Sequence, residues 1–195
     1  MNFLKKYWER FKAKSIWGKS SDVFFLVFLI MMLTSDGRIL FQRMVLSTGL
    51  FGSYEASDPV PLSNDELRWQ LIDDQGEQVS FSSFIGKPVF LNFWATWCPP
   101  CNAEMPGIID LKNELGDQVN FVFVTTETSE KVTAHLRAKG WDIPVYFYEY
   151  LPSESFSSEA LPTTLIINAQ GEIVHKSEGM RKWNTESAKE LLLGH

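Results

Sequence analysis

Residues 86 to 101 read GKPVFLNFWATWCPPC, and this segment joins two patterns of different kinds. Val89–Trp94 is a largely apolar run rich in β-prone side chains, which predicts a buried strand. Proline at positions 99 and 100 favours the first turn of a helix, where the backbone N–H groups have no intrahelical acceptor. Cys98 and Cys101 therefore fall where a buried strand ends and a helix begins.

The position of the two cysteines predicts redox chemistry. A thiol at a helix N-terminus lies beside unpaired N–H groups and the positive end of the helix dipole, both of which favour the thiolate. Cys98 is therefore the candidate nucleophile, and Cys101 lies about one turn later, close enough to form a disulfide with it. Attack by Cys98 on a substrate disulfide gives a mixed disulfide, which Cys101 resolves. This hypothesis depends on an acidic Cys98 sulfur that a substrate can reach.

Two other interpretations of the cysteine pair are an inert disulfide and half of a zinc site. The chain holds only two cysteines, so a disulfide scaffold and a four-cysteine zinc site are both excluded. Zinc would need two further ligands, and the histidines show no ligand-like spacing, so we expect no metal. The strand-to-helix context favours a redox pair over an inert disulfide. The three histidines are His135, His175 and His195.

Strand and helix patterns alternate from residue 65 onward, which predicts an α/β fold with a mixed sheet. A hairpin with a turn at residues 73–76 comes first, followed by a strand–helix–strand unit, a second hairpin and a closing helix. The strand–helix–strand unit begins with strand Val89–Trp94. The predicted elements after this strand are helix Pro100–Leu115, strand Asn120–Thr125, helix Ser129–Lys139, strands Val145–Tyr148, Thr163–Ile167 and Glu172–Lys176, and helix Asn184–Leu193. The first hairpin is predicted to pair Leu67–Ile72 with Gln78 and Val79.

The N-terminal part has the pattern of a membrane-targeting segment. Six basic residues precede the apolar run Val23–Leu33, and an amphipathic stretch, Ile39–Phe51, follows. The run suits a signal-peptide core by length, but no small-residue cleavage site follows it, so we favour an uncleaved anchor. The alternative is a cytosolic helical hairpin. The predicted organisation is an anchor over 1–51, a linker over 52–64 and a folded domain over 65–195.

Charge separates the two parts of the 195-residue chain. Residues 1–57 carry a net charge of +4 and residues 58–195 one of −10, which together give −6. An acidic folded domain is a poor partner for nucleic acid, so none is expected. The positive flank before Val23 keeps the N-terminus in the cytoplasm and places the domain outside it. His135 and the acidic run Glu127–Glu130 are predicted to be solvated.

The segment from Gly86 to Cys101, with Glu104, Met105 and Pro106 after it, closely resembles the TlpA/ResA group of bacterial, membrane-tethered, thioredoxin-like thiol:disulfide oxidoreductases. The resemblance covers roughly residues 67 to 193. It implies a thioredoxin-like fold, with a mixed central sheet flanked by helices, an N-terminal hairpin addition and a helical membrane anchor. Pro106 falls where the family's active-site helix contains a proline.

The resemblance also implies a substrate-binding surface around the cysteines. Leu161 and Pro162 resemble the family's cis-proline loop, which lies against the cysteine pair and binds substrate backbone, so Pro162 is expected to be cis. Trp97, just before Cys98, is a candidate for the apolar surface that accepts an extended substrate. The remaining candidates for this surface are Pro99 and Pro100.

One position departs from ordinary thioredoxins. They bury an aspartate under the cysteine pair as a proton relay, and the corresponding position here is Asn92, which cannot titrate. Glu104 lies three residues after Cys101 on the predicted helix, and a similar group is implicated in the ResA-like members. If Glu104 is partly buried, its pKa rises and it can exchange protons with Cys101. The alternative is a solvated helix glutamate.

The resemblance implies a reductant of protein disulfides at the bacterial inner membrane, facing the periplasm or an equivalent space. It implies no cofactor, and it implies a membrane thiol relay as electron donor. Apocytochrome c maturation and general repair of envelope disulfides are both possible roles. The alternatives are a disulfide oxidase or isomerase, and a tethered binding module whose thiols are incidental.

Overall fold

The computed structural model describes residues 16–47, 58–157 and 160–194. The chain divides into two compact units, residues 1–41 and 42–195. At the N-terminus, helix α1 spans Ile16–Leu33 and helix α2 spans Ser35–Ser47. The end of the predicted amphipathic stretch, residues 48–51, lies outside the described residues, as do residues 52–57 of the predicted linker.

Among the described residues, no single helix is both long enough and apolar enough to cross a membrane. Ser20–Leu33 and Asp36–Val45 meet the length and composition criteria only as a pair, and a bend of 107° separates them.

The folded domain is built on one eight-stranded mixed sheet with the strand order β1-β8-β7-β4-β5-β6-β2-β3. Central strand β4 runs parallel to β5 and antiparallel to β7. The predicted thioredoxin-like architecture is confirmed, and the added hairpin β2–β3 extends the sheet beyond β6. The strands are β1 (Val60–Pro61), β2 (Gln70–Ile72), β3 (Gln78–Ser80), β4 (Val89–Phe93), β5 (Asn120–Thr125), β6 (Val145–Phe147), β7 (Thr163–Ile167) and β8 (Glu172–Glu178).

Four further helices lie in the described part of the domain. Helix α5 (Ser129–Lys139) ends at Gly140, which has the left-handed conformation, with φ of 66°, that glycine adopts without strain. Short 3₁₀ turns lie at Phe81–Phe84 and Glu154–Phe156. The helices are α3 (Asn64–Leu67), α4 (Pro99–Leu115), α5 (Ser129–Lys139) and α6 (Glu186–Leu193).

The predicted strand Leu67–Ile72 is wrong at its beginning. Residues 64–67 form helix α3, because the Ser63 side chain accepts the Glu66 N–H while the Glu66 carboxylate accepts the Ser63 N–H. This capping box stabilises a helix start, so the strand begins only at Gln70. At the other end of the sheet, Val60 and Pro61 form an edge strand against β8, although the sequence places them in the linker.

Strand β4 is buried along its whole length, with layers of apolar side chains on both faces of the sheet. Because successive strand residues point to opposite faces, Phe90 contributes to one layer, and Val89, Leu91 and Phe93 contribute to the other. Asn92 shares the face of Phe90, and the cysteines belong to the same layer. The only polar residue of β4 therefore points toward helix α4.

Candidate active site

Cys98 and Cys101 form a disulfide at the start of helix α4. Cys98 is the N-cap residue, Cys101 lies in the first turn, and their Cα atoms are 5.3 Å apart. The backbone N–H of Cys101 donates a hydrogen bond to Cys98 Sγ over 3.2 Å. The predicted position of the pair, between a buried strand and a helix, is confirmed.

The disulfide lies beneath the protein surface. Cys98 is 2% exposed and Cys101 0%. The expectation of an accessible Cys98 sulfur is wrong for the disulfide form, because the loop that carries it packs into the apolar layer with Trp94 and Ala95. Trp97, in contrast, is 66% exposed.

The loop before β7 lies at the same end of the sheet as the disulfide. The Leu161–Pro162 peptide bond is cis, as predicted. Thr163, the first residue of β7, pairs with Phe93, the last residue of β4, so β4 ends and β7 begins at the same end of the sheet. Pro162 is buried, Leu161 is partly buried, and the Pro162 carbonyl accepts the Gly179 N–H over 2.8 Å.

The other candidates for the substrate surface surround Cys98. Pro99 and Pro100 are the first two residues of α4, and both are partly exposed. Trp97 precedes Cys98 and projects into solvent. The structure thus places these three side chains beside Cys98, while Leu161 and Pro162 reach the same end of the sheet from another strand.

Glu104 is buried on α4 and contacts Asn92 of β4. The Asn92 Nδ2 donates to Glu104 Oε1 over 3.2 Å and to Thr164 Oγ1 over 2.9 Å, and the Arg181 N–H donates to Glu104 Oε2 over 3.0 Å. Burial raises the pKa of Glu104 to about 8, against the opposing effect of the hydrogen bonds from Arg181 and Asn92. The alternative of a solvated glutamate is therefore wrong.

Three residues that the sequence analysis did not select, Thr96, Asn102 and Glu127, also contact the cysteine loop. Asn102 donates to the carbonyl oxygens of Thr96 and Cys98, and Glu127 accepts hydrogen bonds from Thr96. The prediction that Glu127 is solvated is wrong, since its side chain is 8% exposed. His135 is likewise not a free surface residue, because its ring contacts Asn102. No short sequence motif indicates Glu127 or His135, because each lies far along the chain from its partner. Glu127 is 31 positions from Thr96, and His135 is 33 positions from Asn102.

A C-x-x-C disulfide at the start of a helix, a cis-proline loop at the same sheet end and a mixed central sheet together define a thioredoxin-fold redox protein. The family model Redoxin matches residues 55–192, and the chain belongs to that family.

Named relatives agree with this assignment. The chain is 36% identical over 130 residues to thiol-disulfide oxidoreductase ResA of Halalkalibacterium halodurans, covering 65% of this chain and 74% of that protein. It is 27% identical to ResA of Bacillus subtilis over 62% of this chain and 69% of that one. A thioredoxin-family thiol:disulfide interchange protein from Chlorobium tepidum shares the fold, with a TM-score of 0.58 and 23% identity over 70% of this chain and 98% of that one. The protein is a thiol:disulfide oxidoreductase.

Proposed function

We propose that this protein reduces disulfides of other proteins outside the cytoplasm, with Cys98 as the attacking thiol and Cys101 as the resolving thiol. The observation that carries the proposal is the N-cap position of Cys98, whose Sγ already accepts the Cys101 N–H. The same N–H is available to a thiolate when the disulfide is opened, and a hydrogen bond to the charged form favours it.

Glu104 supplies the proton exchange that the resolving step needs. Cys101 must lose its proton before it attacks the mixed disulfide, because the thiolate is the nucleophile. The pKa of the Glu104 carboxyl group, about 8, is close to that of an ordinary thiol, about 8.5. The proton can therefore pass between the two groups at little free-energy cost. Glu104 lies one helical turn from Cys101, which supports this role.

Trp97, Pro99, Pro100, Leu161 and Pro162 form the surface on which the substrate chain binds. Trp97 offers a large exposed apolar face beside Cys98, as a binding site for an extended or unfolded segment requires. The substrate's disulfide is thereby held next to the Cys98 loop. Protein disulfides, in apocytochrome c or elsewhere in the envelope, are the proposed substrates.

The N-terminal segment anchors the protein in the bacterial inner membrane as a single pass, so that the catalytic domain faces the periplasm or an equivalent space. Most apolar side chains of Val23–Leu33 are exposed, which suits contact with lipid, and the basic flank precedes them. A reductant in an oxidising space must be recharged, and a membrane thiol relay is the proposed electron donor.

Trapping the mixed disulfide tests the reaction. In the full chain, Cys101→Ser is expected to accumulate covalent adducts with other proteins, because Cys98 attacks and no thiol resolves the product. Adducts are measured on non-reducing gels after acid quenching and identified by mass spectrometry. Cys98→Ser is the matched control and is expected to give none. Equal adducts from both variants, or none from either, would contradict the assigned roles.

The direction of the reaction is read from the wild-type protein in the same acid-quenched samples. A reductase is expected to be held in the dithiol form, so alkylation should label Cys98 and Cys101 before any reduction. Recovery of the pair as a disulfide in most molecules would favour the oxidase alternative.

Protease digestion of spheroplasts tests the proposed location. The domain after residue 57 is expected to be digested from outside intact spheroplasts, while a cytoplasmic marker protein remains protected. The physical reason is the basic flank before Val23, which holds the N-terminus in the cytoplasm. Protection of the domain until the membrane is dissolved by detergent would place it in the cytoplasm and end the proposal on localisation.

A further inference from the structure

Asn102 forms hydrogen bonds with the backbone on both sides of Trp97. Its side chain is buried on α4, and its Nδ2 donates to the carbonyl oxygen of Thr96 over 2.9 Å and to that of Cys98 over 2.8 Å. These carbonyls lie on either side of exposed Trp97. One buried amide therefore satisfies two carbonyl groups of the loop that carries the attacking sulfur.

The hydrogen bonds of Asn102 also determine which ring nitrogen of His135 carries the proton. Because Nδ2 is used on two carbonyls, the remaining atom, Oδ1, is an acceptor, so His135 Nε2 at 2.8 Å must donate. Burial and the charge of Lys139 lower the pKa of His135, against the attraction of Glu127. The imidazole is therefore neutral at pH 7 and carries its proton on Nε2.

Glu127, which lies between β5 and α5, forms a second set of contacts with the cysteine loop. Its carboxylate accepts the Thr96 N–H over 2.5 Å and the Thr96 hydroxyl over 2.9 Å, and it pairs with Lys131. Although burial opposes it, the hydrogen bonds from Lys131 and Thr96 hold the pKa of Glu127 below its usual value. The carboxylate stays ionised at neutral pH, where it forms charge-assisted hydrogen bonds.

We refer to Asn102, His135 and Glu127 as the loop anchor. We propose that the loop anchor is a set of positioning residues that keeps Cys98 Sγ against the Cys101 N–H after the disulfide is opened. In the disulfide form the covalent bond fixes the two sulfurs. In the dithiol form that constraint is lost. The backbone is then restrained by non-covalent contacts: the hydrogen bonds of the loop anchor, the apolar packing, and the backbone hydrogen bonds from Cys98 N–H to Ala95 and from Asn102 N–H to Cys98. The inference rests on the proposed role of Cys98 as the nucleophile.

The prediction concerns the pKa of the Cys98 thiol in the reduced protein. In His135→Phe the ring is retained between Trp94 and Trp141, but the donor to Asn102 is lost. We expect the midpoint of the Cys98 alkylation-rate profile against pH to rise by about one pH unit. At pH values below the midpoint, this shift corresponds to a thiolate fraction about tenfold smaller. His135→Gln restores an N–H donor and is expected to recover most of the shift.

Glu127→Ala tests the second arm of the loop anchor and is expected to raise the same midpoint. Glu130→Ala is its matched control, because Glu130 is an exposed acid three residues later, in the first turn of α5, whose side chain is hydrogen-bonded to Thr128. Thermal unfolding of each oxidised variant reports its folding separately. A purely structural role would lower the melting temperature without moving the alkylation profile.

The outcomes separate this inference from the proposed function. A wild-type midpoint equal to that of free cysteine would remove the role of Cys98 and the loop anchor together. A depressed wild-type midpoint that both His135→Phe and Glu127→Ala leave unchanged would overturn the loop anchor alone. Equal shifts in Glu127→Ala and Glu130→Ala would do the same, since they would reflect net charge rather than the contact with Thr96.

Discussion

The oxidised wild-type protein is expected to lose stability as the pH rises from about 4.5 to about 8. Replacing Glu104 with glutamine is expected to abolish this loss. In the folded protein burial raises the pKa of Glu104 to about 8, whereas the unfolded chain releases the proton near 4.5. The folded state therefore binds more protons in this window, and the free energy of unfolding falls as pH rises. The slope is about 1.4 kcal/mol per pH unit, or about 5 kcal/mol across the window.

Denaturant unfolding at several pH values measures this effect as the difference between wild type and Glu104→Gln. The difference is expected to be small at pH 4.5 and largest at pH 8, where the glutamine variant is the more stable protein. Glu114→Gln, at an exposed position on the same helix, is the matched control and should leave the slope unchanged. Parallel curves for wild type and Glu104→Gln would show that the carboxyl is hydrated.

The same variant tests the proton relay. If Glu104 exchanges protons with Cys101, the pH profile of disulfide reduction should lose its dependence on a group with a pKa of about 8. An unchanged profile would discard the relay while leaving the stability argument intact. The two measurements therefore separate the burial of Glu104 from its chemical role.

Much of the fold could be predicted because its signals are local. The apolar run at residues 89–94 and the prolines at positions 99 and 100 place β4 and α4 within one residue of their observed bounds. The missed helix α3 also had a local signal, since Ser63 and Glu66 have capping-box spacing. The apolar pattern that follows these residues favours a strand, and it outweighs the capping signal in the sequence.

The site was only partly predictable, because local sequence patterns do not determine the exposure of a side chain or its contacts with residues distant in sequence. The C-x-x-C spacing identifies Cys98 and Cys101, but it does not show that both sulfurs are buried in the disulfide form. The sequence places Glu104 near the pair, yet its raised pKa follows from packing against Asn92 and the Arg181 backbone. Contacts between distant positions, such as Asn102 with His135, arise only in the folded chain.

Replacing Asn92 with aspartate is expected to destabilise the oxidised protein more at pH 8 than any exchange of an exposed amide. Asn92 is 0% exposed, and its Nδ2 lies 3.2 Å from Glu104 Oε1, so Asn92→Asp puts two carboxyl groups side by side in a buried site. Burial and the second carboxyl both raise the pKa of the new group. A rise of about 3 units or more corresponds to a loss of about 4 kcal/mol or more at pH 8.

The loss should shrink toward pH 4, which lies near the pKa values of both carboxyl groups in the unfolded chain, because little free energy is then needed to keep them protonated in the folded protein. Unfolding at pH 4 and pH 8 measures it, with Asn64→Asp as the control for the same chemical change at an exposed helix start. Asn92→Asp combined with Glu104→Gln exchanges the positions of carboxyl and amide. This double variant should recover most of the stability, because one carboxyl again faces one amide. If the double variant is as unstable as Asn92→Asp alone, the cost lies in the shape of the Asn92 pocket and not in the repulsion of two carboxyl groups.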